Sequence, residues 1–161
     1  MAAAEALYNT RIRVNALFQL VSEQELEILL QLMREFYAQQ EMTFQKEVAT
    51  KAVRRAIGNP ALGQIYLIFR GQELAGYFAL TFCFSLEFHG RFGMLDELYI
   101  REPYRRQKFG RSAVEFAQRV CREANVKVLR LEVWTGNSAA QSLYVAEGFK
   151  AEDRRLMTKW L

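Results

Sequence analysis

The sequence has few residues of the types that build cross-links or metal sites, with two cysteines, two prolines and one histidine among 161 residues. Cys83 and Cys121 are too few and too widely spaced for a disulfide framework or a zinc site, which favours a reducing compartment and predicts no bound metal. No apolar run reaches the roughly 18 residues of a membrane-spanning helix, and the opening MAAAEALYNT lacks the basic segment of an export signal. These absences predict a cytoplasmic protein with no membrane partner.

The composition is that of a globular protein, with 51% hydrophobic and 25% charged residues, and it predicts a single domain over residues 1–161. The net charge of +4 is unevenly distributed. Nine basic and three acidic residues lie between 101 and 130, so this segment carries +6 and the remainder −2. Such local basicity is typical of a site for one anionic ligand.

Hydrophobic periodicity predicts a mixed α/β (α+β) fold. Alternating or continuous apolar residues predict strands at 10–17, 64–70, 73–86, 92–100 and 127–134, and a last strand in RRLMTKWL (154–161). Helical spacing predicts helices at about 23–39, 44–57 and 109–124, and a short helix from Asn137 to Gly148. The predicted order is β-α-α-β-β-β-α-β-α-β.

A basic loop joins the strand at 92–100 to the next helix, in the segment LYIREPYRRQKFGRSAVEF. The start of a helix offers unpaired N–H groups and a partial positive charge, which suit a phosphate group. Arg105, Arg106, Lys108 and Arg111 flank this start. The alternative interpretation is a solvated basic helix face, and composition does not decide between the two.

This loop resembles the acetyl-CoA pyrophosphate site of the GCN5-related N-acetyltransferases (GNAT), whose pattern is Arg/Gln-x-x-Gly-x-Gly/Ala. Arg105 takes the first position and Gly110 the last, whereas Lys108 stands where the family has its first glycine. A lysine there keeps the backbone N–H and adds a cation, but we expect it to require ordinary φ/ψ angles. The lysine in place of the glycine therefore affects how tightly CoA is expected to bind.

Two further segments carry the same resemblance. NSAAQSLYVAEGF is similar to the family's Asn-x-x-Ala…Tyr…Gly-Phe signature, and MLDELYIREPYRRQ resembles a prokaryotic branch with an LDELYV-like strand before the CoA loop. The resemblance implies the GNAT fold, in which a mixed, mostly antiparallel sheet of about six to seven strands is flanked by about four helices.

The resemblance implies that acetyl-CoA binds as the acetyl donor, along the strand, the basic loop and the short helix. The residues that match these positions are Leu98, Tyr99, Ile100, Arg105, Arg106, Gln107, Lys108, Phe109, Gly110, Arg111, Asn137, Ala140 and Tyr144. A main-chain N–H of the strand would polarise the thioester carbonyl.

Three residues are candidates for catalysis. Tyr144 matches the family tyrosine that faces the leaving sulfur, where its hydroxyl would hydrogen-bond to the departing thiolate. An alkylamine with a pKa of about 10.4 is almost fully protonated at pH 7, so a base must take its proton. Asp96 and Glu97 are nearly equal candidates for this base, and strand alternation predicts that they point to opposite faces. The alternative is a structural acid or an anchor for substrate charge, for which Glu87 is a weaker candidate.

The resemblance implies an acetyl-CoA-dependent N-acetyltransferase of the acyltransferase class. Its acceptor would be a primary amine of a small molecule or of a peptide or protein, attacking directly in a ternary complex. One alternative is a non-catalytic acyl-CoA-binding regulatory module, prompted by Lys108, and another is an RNA- or tRNA-associated protein, prompted by sixteen arginines. We expect no nucleic-acid partner, because the CoA loop accounts for the basic cluster. A homodimer through the antiparallel hairpins and the apolar final strand is a further expectation.

Overall fold

A computed structural model describes residues 16–161. The strands are Ala16–Leu20 (β1), Gly63–Arg70 (β2), Glu73–Ser85 (β3), Gly90–Ile100 (β4) and Leu129–Leu131 (β5). The helices are Leu26–Gln39 (α1), Lys46–Gly58 (α2), Phe109–Glu123 (α3) and Ser138–Ala146 (α4). The sheet has the order β1-β2-β3-β4-β5, antiparallel up to β4 and parallel between β4 and β5.

Local signals place the helix ends as the sequence predicts. The Ser22 amide donates to the Glu25 carboxylate at 2.9 Å, and the Ser22 hydroxyl accepts from the Gln24 amide, so a capping box opens the short 3₁₀ turn before α1. Asn137 caps α4, since its Oδ1 accepts the Ala140 amide at 3.1 Å. Gly148, with φ of +87°, ends α4 in the left-handed conformation that glycine adopts readily.

The predicted order of elements is confirmed up to α4, and the mixed sheet with four helices is the predicted fold class. The sheet has five strands in the described residues rather than six to seven. The strand predicted at 10–17 lies mostly outside the described residues, and β1 occupies Ala16–Leu20. Of the strand predicted at 127–134, only Leu129–Leu131 pairs with a neighbour.

The prediction of a last strand at 154–161 is wrong. These residues form no strand in the structure, although their apolar pattern is typical of one. A strand needs a hydrogen-bonding edge as well as a pattern, and no strand among residues 16–161 pairs with this segment. Its large apolar side chains are consequently exposed, to 92% in Trp160.

The sheet separates two hydrophobic cores. On one face, Phe78, Leu80 and Leu95 pack against the apolar stripe of α3. On the other face, Leu67 and Tyr77 pack against α1 and α2. Neighbouring residues of a strand therefore serve opposite cores, as Tyr77 and Phe78 do. Within residues 16–161, no helix has the length and apolar character needed to cross a membrane.

Candidate active site

Strand β4 contains a β-bulge at Asp96. Ala79 of β3 pairs with Glu97, whereas the next residue, Leu80, pairs with Leu95, so Asp96 is the extra residue. Leu95 packs into the α3-side core, and after the bulge it is Leu98 that does so. The bulge therefore shifts the alternation of side chains along β4 by one residue.

The prediction that Asp96 and Glu97 point to opposite faces assumes an unbroken alternation, which the bulge interrupts. The Glu97 carboxylate faces the α1 side, where it meets Tyr37 of α1 and Tyr77 of β3. The negative charge of Asp96 raises the pKa values of both phenols and of Glu97, so Asp96 lies near the same group. The charges of the two carboxyl groups therefore interact across the bulge.

Two phenols hold the Glu97 carboxylate. Tyr37 donates its hydroxyl to Oε1 at 2.7 Å, and Tyr77 donates to Oε2 at 2.7 Å. Tyr77 is fully buried and Tyr37 is half-buried. A carboxylate that accepts two hydrogen bonds from rigid aromatic side chains has a fixed orientation.

Burial sets the proton affinity of these groups. Desolvation raises the pKa of Glu97, the charge of Asp96 raises it further, and the two phenol hydrogen bonds act in the opposite direction. The pKa of Asp96 is also raised by desolvation, although the residue keeps an exposed surface. Burial and the charge of Glu97 raise the pKa values of Tyr37 and Tyr77, which therefore remain phenols at neutral pH. The geometry thus combines a carboxyl group of raised pKa with two permanent donors.

Strand β4 has an open edge beside this cluster. Strand β5 pairs with β4 only at residues 93–95, and no strand in the described part of the chain pairs with 96–100 on that side. The Arg101 amide donates to the Ala75 carbonyl of β3 at 2.9 Å. Since amides alternate in direction along a strand, those of Leu98 and Ile100 point away from β3 into the opening.

The side chains of the three residues at the end of β4 belong to the two cores. Leu98 and Ile100 pack against the α3-side core and Tyr99 against the α1-side core. Only their main-chain groups face the opening, so their side-chain types carry no information about a ligand.

The loop before α3 turns through two left-handed residues. Arg106 has φ of +58° and Lys108 has φ of +68°. The expectation that Lys108 requires ordinary backbone angles is wrong, because it adopts the conformation that a glycine takes most easily. Lys108 is the residue before the first turn of α3, and left-handed residues in such a loop turn successive N–H groups toward one side.

The loop side chains divide into those that build the loop and those that are free for a ligand. Arg105 donates Nε to the Ile100 carbonyl at 2.8 Å and a terminal nitrogen to Gln39 of α1. Gln107 donates to the Pro103 carbonyl at 2.6 Å. Arg106 and Lys108 are exposed, and neither side chain has a hydrogen-bond or ion-pair partner among residues 16–161.

The first turn of α3 contacts α4. Phe109 is buried against Tyr104, with ring centroids 6.1 Å apart. A Cβ on Gly110 would lie 3.2 Å from Leu143 of α4, so the glycine permits close packing of the two helices. Arg111 forms an ion pair with Glu147 at 2.6 Å and is therefore occupied by α4.

Helix α4 places its predicted residues in two environments. Asn137 and Ala140 form the N-cap described above. Tyr144 packs its ring edge-on against Phe149 at 5.8 Å and lies against the α3-side core, and burial raises the pKa of its phenol. No residue in the described range 16–161 accepts or donates a hydrogen bond at its hydroxyl.

Side chains of α1 connect to β4 and its loop at three points. Glu35 forms a bidentate pair with Arg101, with distances of 2.7 and 2.9 Å. Glu35 also accepts from Tyr99 at 3.4 Å, Tyr37 donates to Glu97, and Gln39 accepts from Arg105. The hydrogen bond from Arg101 lowers the pKa of Glu35.

The residues present fit acetyl-CoA. Its phosphates would meet the exposed cations Arg106 and Lys108 and the unpaired amides at the start of α3. Its pantetheine arm and thioester would lie along the open edge of β4, where the amides of Leu98 and Ile100 are available as donors. No group of three histidine, cysteine, aspartate or glutamate side chains is placed to hold a metal ion in residues 16–161.

Comparison with known families identifies the chain. The Acetyltransferase (GNAT) family matches residues 26–149, and the chain belongs to this family. A comparison with curated proteins finds no match.

Solved structures share the fold over almost the whole chain. An integron cassette protein from the mobile metagenome of Cole Harbour Salt Marsh is 28% identical with a TM-score of 0.80, covering 89% of this chain and 90% of its own. A predicted acetyltransferase from Clostridium acetobutylicum, solved with acetyl-CoA, is 12% identical with a TM-score of 0.77, covering 89% and 96%. An aminoglycoside acetyltransferase from an uncultured soil metagenomic sample, in complex with sisomicin, is 13% identical with a TM-score of 0.73, covering 91% and 96%.

Sequence reasoning missed the two phenols that hold Glu97. Tyr37 is 60 residues and Tyr77 is 20 residues away from Glu97 along the chain. Each also fits an apolar stripe of its own element, so no local pattern marks it as functional. It also missed the pairing of Arg101 with Glu35, which joins two segments 66 residues apart.

Proposed function

We propose that this protein is an acetyl-CoA-dependent N-acetyltransferase that transfers the acetyl group to a primary amine of a small molecule or of a peptide or protein. The observation that carries the proposal is the Glu97 carboxylate, held by two phenols beside the open edge of β4. A base of raised pKa adjoins backbone amides that can polarise a thioester carbonyl. This pair of features is what amine acetylation requires.

The acceptor amine would approach from the α1 side. Asp96, the exposed residue of the bulge, adds negative charge that attracts an ammonium group. Glu97 takes the proton, and the neutral amine then attacks the thioester directly. The amides of Leu98 and Ile100 stabilise the charge that develops on the carbonyl oxygen.

Tyr144 would serve the leaving group. It lies on the α3 side of the sheet, and its hydroxyl has no partner among residues 16–161, so it is available to the CoA sulfur. Because burial raises the pKa of this phenol, it acts as a hydrogen-bond donor rather than as a strong acid. We expect Tyr144→Phe to lower kcat while the affinity for CoA stays nearly intact, and an equal loss in both would assign Tyr144 to binding.

The first experiment is calorimetric titration with acetyl-CoA, followed by a thiol-release assay with a panel of amines. The panel contains polyamines, amino acids, peptides and aminoglycosides, the last because a structural relative is an aminoglycoside acetyltransferase. We expect binding and acetylation of at least one amine. Binding without transfer to any amine would favour a regulatory acyl-CoA-binding module, and no binding at submillimolar acetyl-CoA would refute both.

The residues assigned to the proton and to the charge can be separated by two amide variants. Glu97→Gln removes the base, so kcat/KM falls by about 10²-fold or more. Asp96→Asn removes charge only, so KM for a cationic amine rises more than kcat falls. A larger loss of kcat in Asp96→Asn than in Glu97→Gln would reverse the two roles.

The C-terminal segment supports a homodimer as part of this proposal. Residues 154–161 expose the apolar side chains of Leu156, Met157, Trp160 and Leu161, which favours their burial against another protein surface. The salt bridge between Arg154 and Glu87 holds the beginning of this segment beside the β3–β4 hairpin. Light scattering of the full chain and of a chain ending at residue 153 tests this, and a monomeric full chain would contradict it.

A further inference from the structure

The two phenols on Glu97 differ in what can reach them. Tyr77 is fully buried between the sheet and α1, so its hydroxyl serves Glu97 alone. Tyr37 is half-buried, and its ring stands edge-on to Phe44, with centroids 5.7 Å apart. Of the two tyrosines whose hydroxyls hold the carboxylate, only Tyr37 has appreciable exposed surface.

We propose that Tyr37 passes the proton of the acceptor ammonium group to Glu97. This inference rests on the proposed function, and it assigns a catalytic residue that lies outside β4 and its loop. The Tyr37 hydroxyl donates to Glu97 Oε1 at 2.7 Å and therefore occupies one acceptor position of that oxygen. An amine that contacts the Tyr37 oxygen is one hydrogen bond away from the carboxylate.

The transfer consists of two coupled proton movements. The N–H bond of the ammonium group breaks as its proton moves to Tyr37 Oη, and the original Oη–H bond breaks as that proton moves to Glu97 Oε1. The products are a neutral amine with its lone pair free, a neutral phenol at Tyr37 and a carboxylic acid at Glu97. No oxidant, reductant or further reactant is needed.

The electrostatics of the cluster favour this order of events. Burial and the charge of Glu97 raise the pKa of Tyr37, so a free phenolate does not form and the two movements stay coupled. Desolvation raises the pKa of Glu97, which makes it a better proton acceptor. The titratable groups that face Glu97 are Tyr37 from α1, Tyr77 from β3 and Asp96 from β4 itself.

The test compares Tyr37→Phe with Tyr77→Phe in pH profiles of kcat/KM and kcat, using the best amine of the panel. Each variant removes one hydrogen bond that lowers the pKa of Glu97, so the acidic limb of kcat/KM moves to higher pH in both. Only Tyr37→Phe also removes the relay. We therefore expect its plateau kcat to fall by about 10²-fold or more, and that of Tyr77→Phe by less than about 10-fold.

Tyr66→Phe provides the control for loss of a largely buried phenol. Tyr66 lies in the α3-side core, where its hydroxyl bonds to Gln64, and we expect wild-type kinetics. Thermal unfolding and acetyl-CoA titration of all three variants report whether each one is folded.

The outcomes separate this inference from the function on which it rests. If the wild type acetylates an amine and the plateau kcat of Tyr37→Phe is unchanged, the relay is overturned and the proposed N-acetyltransferase activity stands. Equal losses of kcat in Tyr37→Phe and Tyr77→Phe would have the same meaning. A wild-type protein that acetylates no amine would overturn the proposed function and the relay with it.

Discussion

Arg111 of α3 lies 2.6 Å from Glu147 at the end of α4, and only 7% of the Glu147 side chain is exposed. This pair joins the helix that begins at the candidate phosphate loop to the helix that carries Tyr144. Removing the cation from a buried carboxylate strongly destabilises the folded protein. The pair therefore fixes the position of α4 relative to the loop.

We expect Arg111→Met to lower the free energy of unfolding by about 2 kcal/mol. This loss is smaller than for a fully buried ion pair, because Arg111 is half-exposed. Adding Glu147→Gln to this variant removes the unpaired buried carboxylate and restores part of the lost free energy of unfolding. Urea unfolding measures both. Glu115→Gln is the control, since Glu115 is the more exposed acid at 3.5 Å and contributes less than about 0.5 kcal/mol. Additive effects of the two substitutions would contradict the coupling.

The stability of the fold should depend on pH through Glu97. Desolvation raises the folded-state pKa of Glu97, so the folded protein binds this proton more tightly than the unfolded chain does. This contribution is fully present below the unfolded pKa and is lost as the pH rises through the folded pKa. Glutamine does not titrate, so the Glu97→Gln variant does not lose this stabilisation as the pH rises. The free energy of unfolding of the variant minus that of the wild type should therefore be larger at pH 7 than at pH 4. A difference that does not change with pH would show that Glu97 is not desolvated.

The Glu35–Arg101 pair should have the opposite pH dependence. The hydrogen bond from Arg101 lowers the pKa of Glu35, so its stabilisation is present above the unfolded pKa and is lost as the pH falls through the folded pKa. We expect Glu35→Gln to lower the free energy of unfolding by about 1–2 kcal/mol at pH 7 and by less near pH 3.

The matched control for this prediction is Glu73→Gln. Its partner Arg70 forms an equally short but more exposed pair, worth about 0–1 kcal/mol. Equal losses in the two variants at pH 7 would show that the Glu35–Arg101 pair behaves as an ordinary surface contact.

Lys108 should tolerate glycine better than a branched side chain. The left-handed conformation costs a non-glycine residue about 1–2 kcal/mol, and a β-branched side chain is the most restricted there. We expect Lys108→Gly to leave the melting temperature unchanged or raised, and Lys108→Val to lower it. Loss of the cation in either variant should weaken the salt dependence of acetyl-CoA binding. A stability gain in Lys108→Val would contradict the left-handed assignment.

Much of the fold follows from local sequence patterns. The apolar stripe of α3, the capping box at Ser22 and Glu25, and the cap at Asn137 each depend on residues within one element, and the structure contains all three. The prediction of a last strand at 154–161 is wrong because an apolar pattern does not show whether a segment pairs with the sheet.

The basic segment between 101 and 130 shows the same limit. Its charge count suggested that the whole cluster surrounds one anion. In the structure Arg101, Arg111 and Arg130 form ion pairs with acidic residues from other parts of the chain, and the loop retains Arg106 and Lys108 as exposed cations. Charge counted along a chain cannot show which cations are already paired.

The sequence by itself determined the order of the elements up to α4 and the basic turn before α3, because these depend on periodicity and capping. Its resemblance to the family pattern supplied the candidate positions Asp96, Glu97 and Tyr144. Only the tertiary structure decided what surrounds them. One extra residue at Asp96 shifted the side-chain alternation and turned Glu97 toward the α1 side, where Tyr37 and Tyr77 meet it from distant parts of the chain. Register and long-range packing are properties of several elements together, and no single segment of the sequence encodes them.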